Sequence, residues 1–233
     1  MRTPDSRFYC PQIDVGEISL DENESSHAVR VCRATVGDIL QLSDGNGRFA
    51  DATITKADPK ACIVRIDRFE TVSTRRPLLS LAIACLKDDA LEEVVFHAAQ
   101  TEIDTIYFLR TDFSQEPKNS DLHKLVRRAE LKSLVSLKQS RKPWLTRIEG
   151  PIEFGKWLDS YEGDLILCDI DGQKEAPPLE RPTTLLIGPE GGFSPKEIES
   201  IKNYSRGKST SINLGNTRLR ARTAAIIALG KFF

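Results

Sequence analysis

Two stretches of this chain join a glycine loop to charged side chains in a way that could hold a small ligand. The first reads Leu185-Leu-Ile-Gly-Pro-Glu-Gly-Gly-Phe-Ser-Pro-Lys-Glu-Ile-Glu, an apolar strand, a glycine-rich loop and then a helix start. A loop at the C-terminal end of a parallel strand is where open α/β sheets bind ligands, and glycines there let the backbone approach one closely. The second reads Ile212-Asn-Leu-Gly-Asn-Thr-Arg-Leu-Arg-Ala-Arg-Thr-Ala-Ala-Ile-Ile-Ala-Leu and repeats the strand, loop and helix order. It carries Arg218, Arg220 and Arg222, which call for anionic partners or solvent. The helix beyond is apolar from Ala224 to Leu229, as suits a core or a subunit interface, so these cations stand beside a dry surface.

Neither loop is a nucleotide-phosphate motif. No Gly-Lys-Ser/Thr follows the first, as a Walker A loop requires, and no Gly-x-Gly-x-x-Gly occurs in it. Ser194 is placed to be a helix N-cap, Pro195 suits the first helical position, and Glu197 completes a capping box. Ser194 is therefore read as a cap and not as a ligand. A plain tight turn is the competing reading of Gly-Pro-Glu-Gly-Gly. His27, His97 and His123 lack metal-ligand spacing, and the five cysteines (Cys10, Cys32, Cys62, Cys85, Cys168) include no Cys-x-x-Cys pair. No metal and no disulfide framework are expected, and Cys168 is read as a small buried residue.

The elements that must position these loops follow from periodicity. From Tyr9 to about Thr71 the pattern is of short strands: residues 38–42 alternate, Ser43-Asp-Gly-Asn-Gly is a hairpin turn, 49–54 alternate back, Asp58-Pro-Lys turns again, and 61–66 is rich in β-branched residues. With one short helix at 22–33, this predicts a small β-barrel over residues 1–72. The polar stretch 72–77 ends in proline and suits a linker, placing a boundary near residue 73. Over 73–233, strands at 78–84, 105–109, 165–168, 184–187 and 210–214 alternate with helices at 90–101, 121–138, 195–203 and 221–233. That order predicts an α/β domain with a largely parallel sheet.

Charge is balanced overall, with 33 Lys+Arg against 34 Asp+Glu, yet segregated along the chain. Residues 118–147 hold nine basic and two acidic side chains (+7), residues 202–222 hold six and none (+6), and residues 148–201 hold four and twelve (−8). Such basic blocks can steer a polyanion even when the total is near zero; the competing reading is solvated helix faces. At 39% hydrophobic and 29% charged, the composition excludes a disordered or fibrous chain. No apolar run approaches the roughly 20 residues that span a bilayer, and the N-terminus lacks a secretory apolar segment. A soluble cytoplasmic protein with no membrane partner is expected.

Taken together, the two loop motifs resemble the ribosomal RNA uracil-N3 methyltransferases of the SPOUT (trefoil-knotted) superfamily, whose motifs read Leu-Ile-Gly-Pro-Glu-Gly-Gly-Phe/Leu-Ser and Leu-Gly-x-x-x-Leu-Arg-Thr-Glu-Thr-Ala. The first matches across Leu186 to Ser194; the second matches at Leu214, Gly215, Leu219, Arg220, Thr223 and Ala224. Ala221-Arg222 replaces the family's Thr-Glu pair, and Asp104 stands where the family favours glycine. Weaker similarity at Ser26-His-Ala-Val-Arg-Val-Cys-Arg, Ser43-Asp-Gly-Asn-Gly, Gln100-Thr-Glu-Ile and Lys138-Gln-Ser-Arg extends the resemblance over the whole chain.

The resemblance implies a PUA-like, RNA-binding β-barrel followed by a SPOUT α/β trefoil-knot methyltransferase domain, a homodimer, S-adenosyl-L-methionine as cofactor, and ribosomal RNA or the small ribosomal subunit as partner. Chain-threading rules alone give an ordinary parallel sheet over about the last 50 residues. The implied reaction methylates N3 of a specific uridine in 16S ribosomal RNA. A catalytically silent RNA-binding protein on the same scaffold is the alternative, motivated by Ala221-Arg222; an unrelated small-molecule α/β enzyme is a more distant one. Ile187, Gly188, Gly191, Gly192, Leu214, Gly215, Leu219 and Ala224 are expected to line the cofactor site. Arg220 is expected to stabilise charge developing on the uracil or to meet the adjacent phosphate, its competing role being a buried ion pair. Glu190 would accept the N3 proton, pair with an arginine, or simply order the loop. Arg30, Arg33, Lys124, Arg128, Lys132, Lys138 and Arg141 would grip RNA phosphates. Gly191→Val is expected to disrupt cofactor binding, and Arg220→Ala to abolish transfer with the fold intact.

Overall fold

The computed structural model describes residues 7–73, 78–86, 90–115 and 122–233. The chain divides into two compact units, Met1–Thr74 with Leu134–Leu145, and Arg75–Ser133 with Thr146–Phe233.

In the first unit, β1 (Phe8–Tyr9), β2 (Gly16–Ser19), β3 (Ile39–Ser43), β4 (Arg48–Lys56), β5 (Ile63–Ile66) and β6 (Glu70–Thr71) form one sheet in the order β1-β3-β4-β5-β2, with β6 paired to β4. Only the β1–β3 pairing is parallel. Alternation along these strands puts Leu40, Leu42, Ala52, Ile54, Val64 and Ile66 into one core with Phe8. The predicted β3–β4 hairpin forms because Asp44 accepts backbone N–H groups from Asn46 (2.7 Å) and Arg48 (2.9 Å), fixing the register Ser43↔Phe49. The helix expected at 22–33 is α1 (Glu22–Ser26), capped by Asp21, continued by a π-helical turn over His27–Val31.

In the second unit, β7 (Leu79–Ala84), β8 (Ile103–Arg110), β9 (Arg147–Glu153), β10 (Asp164–Gln173), β11 (Thr183–Ile187) and β12 (Ser209–Ile212) make an all-parallel sheet ordered β12-β10-β11-β7-β8-β9. Helices α2 (Ala90–Ala98), α4 (Phe154–Ser160), α5 (Pro195–Lys202) and α6 (Ala221–Gly230) accompany it, with the first part of α3 (Leu122–Ser140), whose residues from Leu134 on belong to the first unit. Every residue of β7 and β11 is buried, as expected of central strands covered on both faces. Leu185 and Ile187 belong to a core shared with Leu91 and Val95 of α2 and Ala225 and Leu229 of α6. Leu186 belongs to the opposite core, with Phe154 and Trp157 of α4 and Ile201 of α5.

Strand β9 and helix α4 are absent from the periodicity reading. β9 is an edge strand with no fully buried residue and is broken by Gly150-Pro151, and α4 has only seven residues with a glycine second, so neither carries a readable period. The last helix ends at Gly230, short of the Phe233 expected.

Threading of the C-terminal segment follows from three contacts. A Cβ on Gly172 would fall on the backbone of Ile212, so only glycine lets those two segments cross. Beyond the crossing, Asn213 N–H donates to Gln173 O (2.8 Å). At the far end of α6, Lys231 Nζ donates to Lys174 O (3.1 Å), so the start of the β10–β11 connection lies beside the end of α6. These contacts hold the C-terminal segment against the end of β10 and the β10–β11 connection, the place where a knotted α/β arrangement departs from an open parallel sheet. Among the described residues no helix is long and apolar enough to cross a membrane.

Candidate functional site

The loop after β11 is held at both ends. Gly192 N–H closes a turn onto Pro189 O (2.8 Å), and Gly192 sits at φ +74°, a left-handed backbone that side chains disfavour. At its far end the expected capping box is present: Glu197 N–H donates to Ser194 Oγ (3.3 Å), and Ser194 N–H donates to Glu197 Oε2 (2.8 Å). Both side chains are buried, and both reach further. Ser194 Oγ donates to Asp112 Oδ2 (2.6 Å), while Glu197 Oε1 accepts from Asp112 N–H (3.0 Å). The serine hydroxyl is therefore fully committed to structure.

The loop after β12 is shaped by Asn213, whose Oδ1 accepts from Gly215 N–H (2.6 Å) and whose amide donates to Ile170 O. Gly215 has φ +138°. From this loop Arg218 Nη2 reaches across to donate to Glu190 O (2.9 Å), tying together loops that are 28 residues apart. The two glycine loops therefore meet, and between them lies a cleft of about 450 Å³. That volume falls in the roughly 300–1,000 Å³ range of small-molecule sites.

Ile187, Gly188, Gly192, Leu214, Gly215, Leu219 and Ala224 line this cleft. Gly191 does not: it is exposed, and a Cβ there would stand 3.5 Å from Phe113, an ordinary contact. The disruption expected of Gly191→Val therefore has no basis in the cleft wall, and the sensitive glycines are Gly188 and Gly192. A Cβ on Gly188 would press to 3.1 Å of Gly192.

A third wall comes from the end of β10, Leu167 to Ile170, which the motif reading missed. These residues carry no glycine signature and reach the site only because β10 lies between β11 and β12 in the sheet. Cys168 is among them, and burial pushes its thiol up to about 12, so it is a neutral apolar wall. Asp169 and Arg218 are the charged side chains of the lining, one of each sign among mostly apolar neighbours. Such a cleft suits a zwitterion attached to an apolar body.

Arg220 and Glu190 are exposed and outside the lining. Arg220 occupies the N-cap position of α6, between the lining residues Leu219 and Ala221. No carboxylate pairs with it among the described residues, which removes the buried ion pair as its role. Arg222 instead pairs with Glu93 of α2 (2.7 Å), both side chains half exposed.

The basic residues expected to meet RNA fall in both units. In the first, Arg30 and Arg33 are exposed around the π-helical turn, and Arg141 is exposed. Lys138 donates to Glu24 (2.6 Å), a carboxylate that is only 5% exposed, so this ammonium is spent inside the fold. In the second unit, Lys124, Arg128 and Lys132 are exposed along α3, with Arg128 paired to Glu92 of α2 (3.0 Å). Among the described residues no three His, Cys, Asp or Glu side chains gather to hold a metal ion.

Comparison with known proteins gives two family matches. Residues 74–232 match the RNA methyltransferase domain, and residues 20–67 match the RNA methyltransferase PUA domain. Ribosomal RNA small subunit methyltransferase E of Rickettsia conorii is 29% identical over 225 residues, covering 92% of this chain and 88% of that protein. A Legionella pneumophila structure described as a methyltransferase with the bound cofactor SAM is 25% identical with a TM-score of 0.82, covering 96% of this chain and 95% of that one. Ribosomal RNA small subunit methyltransferase E of Neisseria gonorrhoeae, bound to S-adenosyl methionine, shares the fold at a TM-score of 0.86 and 19% identity, covering 97% and 95%.

Proposed function

The chain belongs to the RNA methyltransferase domain family, and from that premise we propose that it methylates N3 of a specific uridine in 16S ribosomal RNA, using S-adenosylmethionine. The observation that carries this reading is the cleft where the ends of β10, β11 and β12 meet, apolar on most sides and bearing Asp169 and Arg218. Full-length similarity to small-subunit methyltransferases and to SAM-bound structures supports the same reading.

The residues present fit the cofactor. Ile187, Leu214 and Leu219 offer apolar faces to an adenine, the backbone around Gly188, Gly192 and Gly215 offers polar groups at close approach, and Asp169 and Arg218 match an α-ammonium and an α-carboxylate. When bound, S-adenosylmethionine supplies an electrophilic methyl group on a sulfonium. The protein's own task is to hold the acceptor nitrogen in line with it and to keep water out. The protonated Cys168 thiol is a poor nucleophile and does not compete for the methyl group.

Uracil N3 must lose its proton as it is methylated, and the resulting charge spreads onto the flanking carbonyl oxygens. Arg220 would face that charge or the neighbouring phosphate and Glu190 would take the proton; both are exposed and adjoin residues that line the cleft, Leu219 and Ala221 for Arg220 and Pro189 for Glu190. Arg30, Arg33, Arg141, Lys124, Arg128 and Lys132 would hold phosphates, Lys138 being engaged by the buried Glu24 instead, and the target base must be unpaired or flipped to enter. Exposed Ile226, Ile227 and Phe233 on and after α6 give a second copy of the chain a face to cover, supporting a homodimer.

The test is calorimetry with S-adenosylmethionine, followed by mass mapping of 3-methyluridine in 16S ribosomal RNA from cells with and without the gene. Binding heat and a mark that disappears with the gene are expected. Unchanged 3-methyluridine would overturn the uridine assignment, and absence of heat would overturn the methyl-donor reading.

A further inference from the structure

Phe113 is a large apolar side chain left 49% exposed at the C-terminal end of the sheet, just after β8. It is held on both sides. Before it, Asp112 is fixed by Glu197 and Ser194 of the capping box that follows the glycine loop. After it, Ser114 closes a turn, its hydroxyl accepting from Thr111 N–H (3.1 Å) and donating to Thr111 O (2.9 Å). The phenyl group lies against Gly191, where a Cβ would come 3.5 Å from its Cβ and 3.6 Å from its ring. Gly191 in turn is flanked by Glu190, which carries the contact from Arg218, and by Gly192, which lines the cleft.

An exposed aromatic group on a hydrogen-bonded turn next to a cofactor cleft, yet outside its lining, is not a cofactor contact. We propose that Phe113 is a stacking platform for an unpaired base of the RNA, placing the acceptor nucleotide at the mouth of the cleft formed by the two glycine loops. This inference rests on the RNA methyltransferase reading above. Aromatic side chains receive unstacked bases in single-stranded RNA, and a phenyl group without polar atoms does so irrespective of base identity. The hydrogen bonds that Asp112 accepts from Ser194 and donates to Glu197 tie the backbone beside Phe113 to the capping box that follows the cofactor loop.

The experiment uses the full chain and two readouts. In steady-state assays with small-subunit RNA, Phe113→Ala is expected to raise KM for RNA by roughly 5- to 100-fold, the range of single base–aromatic contacts, with kcat and the S-adenosylmethionine Kd little changed. Phe113→Tyr should restore KM. Independently, Phe113→Trp should show indole fluorescence quenched by a ten-residue oligouridylate and not by an abasic ribose-phosphate oligomer of equal charge, against the wild-type signal of Trp144 and Trp157. A KM within twofold of wild type in Phe113→Ala, or equal responses to both oligomers, would overturn the platform. Failure of the methyl-donor reading would appear separately, as wild-type protein giving no heat with S-adenosylmethionine, while base-dependent quenching would still support the platform.

Discussion

Replacing Arg218 by alanine removes a side chain that ties the loop after β12 to the loop after β11. Its guanidinium donates to Glu190 O at 2.9 Å and lines the cleft. A hydrogen bond from a charged donor is worth about 1.5–3 kcal/mol when shielded, but Arg218 is exposed, which reduces the loop contact to about 1 kcal/mol. Loss of a solvent-screened pairing with the α-carboxylate of the cofactor adds about 0.5–1 kcal/mol more. The sum, about 1.5–2 kcal/mol, corresponds to S-adenosylmethionine binding weakened about 10- to 30-fold. Isothermal titration calorimetry measures this directly. Arg218→Lys should recover part of the loss, because an ammonium keeps the charge without the planar fork. Arg220→Ala, outside the lining, should leave the Kd unchanged and instead lower turnover. A Kd within twofold of wild type in Arg218→Ala would refute the idea that this residue closes and charges the cleft.

The glycine loop makes a paired prediction. Gly192→Ala, at φ +74°, should lose about 1–2 kcal/mol in chemical denaturation and weaken cofactor binding, whereas Gly191→Ala, which meets only ordinary contact with Phe113 and has no left-handed backbone, should leave both unchanged. Cys168 predicts a pH effect. Its thiol is raised from an ordinary value near 9 to about 12, so the folded chain keeps a proton that the unfolded chain releases as pH rises from 9 to 12. This group's contribution to stability is therefore full below pH 9 and is lost between 9 and 12. Alkaline unfolding should shift to higher pH in Cys168→Ala, and iodoacetamide mapping at pH 8 should leave Cys168 of the native protein unmodified.

Much of the cleft was legible because its two glycine loops are local signals. Gly188 and Gly192 on one side, and Leu214, Gly215 and Leu219 on the other, each follow a strand within a few residues, and periodicity located both strands. The end of β10 was not legible, since Leu167 to Ile170 look like any strand end and join the site only through strand order. Periodicity gives strands, not their neighbours in a sheet, and the threading past Gly172 depends on one close backbone crossing with no sequence motif of its own. Of the three arginines in five residues, the family motif singles out Arg220, while Arg218 falls on one of its unspecified positions. Their settings in the structure separate them: Arg220 is the exposed N-cap residue of α6, outside the lining, whereas Arg218 lines the cleft and reaches Glu190 O. Lys138 misleads in another way: a basic residue in a basic segment reads as surface, yet it neutralises the buried carboxylate of Glu24.

The replacement of Thr-Glu by Ala221-Arg222 is the strongest sequence argument for a silent protein, and its physical content can now be weighed. Ala221 is buried and lines the cleft with a side chain smaller than threonine, so it enlarges the space without placing an unpaired polar group there. Arg222 points away from the cleft to Glu93, and an exposed pair of this kind contributes about 0.2–1 kcal/mol to the α2–α6 contact. The charge reversal is thus absorbed between two helices rather than in the cleft, whose glycines, apolar walls and Asp169–Arg218 charges are untouched by it. What the exchange alters is the coupling of α6 to α2, and α6 also carries the exposed Ile226 and Ile227. Arg222→Glu would set two carboxylates against each other at the Glu93 contact. It should therefore destabilise the α2–α6 contact by about 1 kcal/mol in denaturation, with no change in cofactor affinity. A large loss of S-adenosylmethionine binding in that variant would show that the pair reaches the cleft after all.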